Sequence, residues 1–182
     1  VAVKLTGGDD RMLIATHDGA GIRFHESEVR VMGREAGGVR GIRLREGDYV
    51  VGAAREDEGG MLLTVTENGY GKLTPIDEFT EHHRGGGGVT AHNLTEKTGP
   101  LAGVRCVVPE RDDVLIITSE GVIIRIGCET IRVCGRASQG VILMRLDEGV
   151  KVISLAHTET EEDEIAESEG EAAETAPEGD AE

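Results

Sequence analysis

Three stretches of this chain align with one another, and that repeat limits the possible folds more than any other feature. The first runs from "MLIATHDGAGIRF" through "VMGREAGGVRGIRL" to "YVVGAAR". The second runs from "MLLTVTENGYGKL" through "EHHRGGGGVTAHNL" to "LAGVRCV", and the third from "VLIITSEGVIIRI" through "VCGRASQGVILMRL" to "VKVISLA". Gly19, Gly69 and Gly121 correspond at steps of 50 and 52 residues, and Gly38, Gly88 and Gly140 correspond at the same two steps. Two independent markers in one register make a chance alignment a poor explanation.

Each repeat reads as four short strands. In the first repeat these are Met12 to Thr16, Gly21 to Phe24, Val39 to Leu44 and Tyr49 to Ala54. Asp18-Gly19 and Asn68-Gly69 between apolar runs are strong hairpin signals, and Glu120-Gly121 fills the same place in the third repeat. The chain is 38% hydrophobic with Trp 0, Tyr 2 and Phe 2, so its core must come from aliphatic residues, and the β-branched share favours strands. With 27 glycines against four prolines, tight turns should be frequent, and the fold class is all-β. Four strands in about 50 residues is the size of a propeller blade, and a blade cannot bury both faces alone. The repeats are placed at about 11–55, 60–108 and 113–156 within a domain of residues 1–157. "VAVKL" matches the last strand of a repeat, so the chain is expected to begin inside a blade and to belong to a longer protein.

Between the second and third strands lies R-x-x-x-G-V: "REAGGV", "RGGGGV" and "RASQGV". Four consecutive glycines carry the greatest unfolded-state freedom to lose, which would suit a linker. A linker would have no counterparts in the other repeats, so Gly38, Gly88 and Gly140 are read as turn residues with positive φ. Arg34, Arg84 and Arg136 share one register, with Arg40, Arg43 and Arg145 on the strand that follows. Arg23, Lys72 and Arg125 are matched in the second strand, and Arg30 with Arg132. Glu28, Glu35, Glu46 and Asp147 stand among these cations, so an ordinary solvated surface is the competing reading.

The net charge of -16 is unevenly placed. Residues 158–182 hold 12 of the 35 acids and no Lys or Arg, so the preceding 157 residues carry 23 acids and all 19 bases, a net of -4. The tail has the composition of a disordered polyanion. The overall acidity therefore says little about what the body binds.

"VMGREAGGVRGIRLREGDYVV", "TENGYGKLTPIDEF" and "VCGRASQGVILMRL" resemble the C-terminal domain of the DNA gyrase A protein over residues 1 to about 156. The resemblance implies a β-pinwheel, a propeller-like disc whose blades exchange a strand with a neighbour and whose basic rim bends duplex DNA. On that reading Arg34, Arg84, Arg136, Arg40, Arg43, Lys72, Arg125 and Arg132 contact phosphates. "HHRGGGG" is similar to the family's basic, glycine-rich box, although it sits in a middle copy and lacks the terminal lysine. The implied partners are duplex DNA, a gyrase B subunit together with a second gyrase A chain, in a cytoplasmic, nucleoid-associated enzyme that uses ATP and Mg2+. The family's catalytic tyrosine lies in a domain outside this sequence, so no catalytic residue and no cofactor is assigned here. A topoisomerase IV C-terminal domain and a propeller-type protein scaffold are the alternatives.

The remaining motifs point nowhere else. Cys106, Cys128 and Cys134 form no C-x-x-C pair and, with His82-His83, fit no common zinc spacing, so no metal site is assigned. Ser119, Ser138 and Asp113 lack a G-x-S-x-G elbow, and no P-loop is present. No apolar run approaches the roughly 20 residues of a membrane-spanning helix.

Overall fold

The structure is a computed structural model that describes residues 2–159. These residues build three antiparallel sheets, one per repeat. Strand β1 (Arg11–Thr16) turns into β2 (Ala20–His25), and β3 (Val50–Arg55) closes the inner side of that sheet. The second sheet repeats the plan with β4 (Met61–Thr66), β5 (Tyr70–Pro75) and β7 (Leu101–Val107). The third uses β8 (Asp112–Thr118), β9 (Ile123–Gly127) and β11 (Val152–Glu159).

One device forms all three hairpins. Gly19, Gly69 and Gly121 have φ of 81°, 80° and 80°, and each donates its N–H to the threonine carbonyl three residues earlier, at 3.0–3.1 Å. The same threonines, Thr16, Thr66 and Thr118, accept the N–H four residues ahead on Oγ1 at 3.2–3.3 Å. A β-branched residue that bonds its own turn suits the end of a strand.

The third strand of each repeat leaves its own sheet. Strand β6 (Val89–Thr90) belongs to the second repeat but pairs with β2 of the first, at Ala20–Thr90 and Gly21–Val89. Strand β10 (Val141–Ile142) belongs to the third repeat and pairs with β5 of the second. This is the strand exchange that the resemblance implied. The length expected for these strands shrinks to two residues, and Val39–Leu44 forms no strand, since no preceding sheet is present for it among the described residues. Likewise residues 2–5 of "VAVKL" form no strand, and Val3 and Leu5 are 89% and 88% exposed.

The sheets pack face to face through β3, β7 and β11. Leu13, Ala15 and Ala54 of the first sheet meet Leu62, Leu101 and Val104 of the second, with Phe79 and Ala91 closing the outer side. Leu63, Val65, Leu73 and Val107 meet Val114, Ile116, Val152 and Leu155 across the next junction. Gly52 and Gly103 occupy equivalent places, and a Cβ on either would sit 2.9–3.0 Å from Val104 or Leu155 of the next sheet. Neighbouring sheets approach this closely because those positions lack a side chain.

At the first exchange, Gly88 has φ of 70°, and a Cβ there would lie 2.6 Å from the Gly21 carbonyl oxygen. Gly38 and Gly140 share this left-handed conformation at 78° and 69°. Gly87 has neither a positive φ nor any atom within 4 Å of a built Cβ. Gly88→Ala should therefore cost at least about 1–2 kcal/mol from the left-handed backbone alone, whereas Gly87→Ala should be neutral or stabilise slightly. Urea unfolding of the two variants separates the turn from a passive linker, which would tolerate both.

His92 is 1% exposed on the exchanged segment, where Ile42 and Met144 stand in the other repeats. Its Nδ1 lies 2.9 Å from Thr64 Oγ1 and its Nε2 lies 3.0 Å from the Gln139 carbonyl oxygen, so one ring joins two repeats. Burial, and then the charge of Lys72, push its pKa down to about 4. Neutral His92 is thus the folded form, and its contribution is complete above the ordinary histidine pKa of about 6.5 and lost as pH falls toward 4. Wild-type stability relative to His92→Met should drop by roughly 3 kcal/mol across that window, read by thermal unfolding at each pH.

Candidate nucleic-acid interface

The arginine turns lie side by side. Arg43 donates its N–H to the Gly86 carbonyl at 2.7 Å, and Gly85 donates its own to the Gly41 carbonyl at 2.6 Å, joining the first turn to the second. Asn93 donates to the Ser138 carbonyl at 3.1 Å, joining the second to the third. The side chains continue the pattern: Arg84 Nη1 donates to the Arg40 carbonyl at 3.1 Å, and Arg136 Nη1 to the equivalent Thr90 carbonyl at 2.9 Å. The three turns therefore form one ladder along an edge of the molecule.

Each internal turn is also capped by an acid from the preceding sheet. The Arg84 backbone N–H donates to Glu28 Oε2 at 2.9 Å, and the Arg136 N–H to Glu78 Oε2 at 2.7 Å. The Arg84 N–H bond, with His83 beside it, holds the Glu28 carboxyl below its usual range. Two acids that stand near the cations in sequence thus cap backbone groups. Their pairing with turns some 56 and 58 residues away is not readable from a local pattern.

Arg34, Arg40, Arg43, Arg132 and Arg145 are exposed, and Arg84 and Arg136 are half-buried. Arg43 and Arg136 line one groove together with Arg45, Gly87 and Gly88, and Asp18 and Asp48 line it as well. Arg45 extends the basic set beyond what the repeat register marks. Arg23 is not part of an open surface: its guanidinium forms 2.7–3.0 Å bonds with Glu56. Arg125 is exposed and bonds Asp113 and the Glu159 carbonyl.

Lys72 corrects the expectation made for it. It is 0% exposed, and Nζ donates to the carbonyls of Gly135, Arg136 and Ser138 at 2.8, 2.5 and 3.1 Å. Burial pushes its pKa down to about 8. The reason is register. Strand pairing aligns Lys72 with Ile22 and Ile124, while Arg23 and Arg125 align with Leu73. The sequence alignment matched Lys72 with the arginines one place along, and a one-residue slip in a strand moves a side chain to the opposite face. Lys72 fixes the third arginine turn from inside and cannot touch a duplex.

Cys106 and Cys128 are buried thiols, and Cys134 is half-buried. Burial pushes the pKa of both Cys106 and Cys128 up to about 12. Among the described residues no helix is long and apolar enough to cross a membrane.

Two four-stranded sheets and one three-stranded sheet, linked by two exchanged outer strands, define a propeller-like β-pinwheel repeat protein with a ladder of arginine turns along one edge. The chain belongs to the DNA gyrase C-terminal domain, beta-propeller family, whose model matches residues 10–55, 60–107 and 112–159. The DNA gyrase A protein of Aminobacterium colombiense is 48% identical over 162 residues, covering 89% of this chain and 20% of that protein. Its Staphylococcus epidermidis counterpart is 44% identical over 165 residues, 90% of this chain and 18% of that protein. The chain thus spans about a fifth of the length of the curated relatives it matches. A solved gyrase A C-terminal domain superposes with a TM-score of 0.77 at 27% identity, over 84% of this chain and 52% of that one. The C-terminal domain of a DNA topoisomerase IV superposes with a TM-score of 0.81 at 28% identity, over 94% and 54%.

Lys72→Met should destabilise the chain by about 1–3 kcal/mol, because the Arg136 carbonyl loses its donor while those of Gly135 and Ser138 keep the Ser138 and Asn93 N–H groups. Urea unfolding checks the loss, and a variant as stable as wild type would contradict the clamp.

Proposed function

We propose that this chain is the DNA-wrapping part of a gyrase A protein, with a duplex lying along the ladder of arginine turns. The ladder carries the reading: bonds between successive turns involve Arg40, Arg43, Arg84 and Arg136, and the exposed Arg34 and Arg145 belong to the same repeated segments. Such cations neutralise phosphates, release counterions and position a duplex without reading its bases. Glycine-rich turns let backbone N–H groups approach the phosphates as well. Bending 20–30 base pairs costs about 1–6 kcal/mol by smooth elastic estimates, which dispersed phosphate contacts offset.

In the whole enzyme this wrap would feed a duplex to cleavage and ATP-driven steps carried by other domains and by the gyrase B protein. The likeness to a topoisomerase IV domain supports a second reading of the same kind, with a weaker wrap. The acidic residues 160–182 lie outside the described residues, and their role is proposed from charge: 11 acids and no base compete with DNA for the rim.

Duplex binding by the full chain across a salt series tests the proposal. Affinity should fall steeply with salt and be insensitive to sequence, and Arg40→Ala and Arg43→Ala should each lower the log–log slope by about 1. No binding at low salt would sink the reading. Ending the chain after Glu159 should raise affinity if the tail competes, and an unchanged affinity would remove that part alone.

A further inference from the structure

One imidazole in the first repeat stands between two carboxylates. His17, just past β1, has Nδ1 3.5 Å from Asp18 Oδ1 and Nε2 3.4 Å from Glu67 Oε1. Its ring stacks on Tyr49 with centroids 4.5 Å apart, and its backbone N–H donates to the Tyr49 carbonyl at 2.8 Å. A neutral imidazole carries one N–H and one lone pair. In either tautomer, therefore, one ring nitrogen turns a lone pair toward a carboxylate oxygen. A cation between the two removes the mismatch, either a proton or a metal ion.

A third donor at the same place favours the metal. One ligand atom from each of His17, Asp18 and Asp48 lies within 4.8 Å of the other two. Asp48 Oδ1 accepts the N–H groups of Asp18 and Tyr49 at 3.0 and 2.9 Å, which holds the carboxylate still and leaves its second oxygen without a hydrogen bond among the described residues. Among those residues no Lys or Arg pairs with Asp18 or Asp48. The next repeat solves the same corner differently. Tyr49, Pro100 and Lys151 occupy one place, each carbonyl taking the N–H of His17, Glu67 or Ser119. Lys151 reaches back and puts its ammonium on Asn68 Oδ1, the counterpart of Asp18. Pro100, which stands where Lys151 stands, offers Asp18 no such cation. The three metal-type donors also occur together in the first repeat alone: the second has Glu67, Asn68 and Gly99 there, and the third Ser119, Glu120 and Val150.

We infer that His17 Nδ1, Asp18 and Asp48 hold a divalent transition-metal ion of the zinc type. Tetrahedral ligands at about 2.0–2.2 Å from zinc stand about 3.4 Å apart, so the 3.5 Å between His17 and Asp18 fits and Asp48 closes by a side-chain adjustment. An imidazole nitrogen among the donors selects such an ion over Mg2+ and Ca2+, which take oxygen ligands. Glu67 accepts the Nε2–H of His17 from behind, which fixes the tautomer with its lone pair on Nδ1. Asp18 and Asp48 line the groove of Arg43, Arg45 and Arg136, so the ion neutralises the two carboxylates that oppose an anion there. That last consequence rests on the DNA reading, and the site itself does not.

Zn2+ added to the EDTA-treated full chain, without DNA, tests the site, with the six histidine rings followed by NMR. One equivalent should move the His17 ring resonances and leave those of His82 and His83 in place. Asp18→Asn installs the residue that the second repeat carries, and Asp48→Asn keeps an oxygen for the Asp18 and Tyr49 N–H groups, so both should stay folded. Each should weaken zinc binding about tenfold or more. His17 resonances that ignore zinc overturn the inference. So do folded Asn variants that bind zinc as tightly as wild type, or a response to Mg2+ equal to that to Zn2+. Zinc that seats on His17 without raising duplex affinity overturns the consequence for the groove alone.

Discussion

Everything in this molecule depends on a pair of backbone hydrogen bonds that cross from one repeat to another. The hairpin glycine carbonyl of one sheet receives two consecutive N–H groups from the next repeat, beside a two-residue strand. Two residues of pairing would be marginal alone. They hold because the incoming segment is fixed on three further sides: by the capping glutamate, by the ladder to the next turn, and by a side chain buried between sheets. His92 performs the last task with hydrogen bonds where Met144 performs it by packing.

This arrangement explains the glycines. Gly88 and Gly140 are needed twice over, for a left-handed backbone and for contact with a carbonyl 2.4–2.6 Å from a built Cβ. Gly85 has a positive φ with no counterpart among the turn residues of the third repeat, where Ala137 stands. It presents its N–H to the first turn. The run of four glycines is therefore a mixture of necessity and tolerance, with Gly87 the tolerant member. The arginines of the motif are likewise double-purpose: Arg84 and Arg136 tie turns together through carbonyls while part of each guanidinium stays at the surface.

The repeat, the all-β class and the hairpins were legible because each rests on local chemistry: period-2 apolar runs, turn dipeptides, and glycines at fixed steps. Strand exchange was not legible from pattern, since a short β-branched pair such as Val89-Thr90 looks the same whichever sheet receives it, and only the family resemblance indicated it. The misreading of Lys72 has a sharper cause. Aligning Met61 with Met12 shifts the second strand by one residue, and glycine registers, not the apolar ones, track the true pairing. The capping roles of Glu28 and Glu78 lie beyond local reading altogether, because their partners are set by the stacking of sheets.

The exchange also imposes an order on folding. The first sheet lacks its outer strand until Val89 and Thr90 are made, and the second lacks its own until Val141 and Ile142 are made. During synthesis each blade therefore waits, with β2 or β5 uncovered, for a segment one whole repeat away. Contacts this distant in sequence close slowly and expose strand edges meanwhile. A chain built this way matures blade by blade behind the ribosome, always one repeat late, and its most vulnerable species is the one whose newest sheet is still waiting for its last strand.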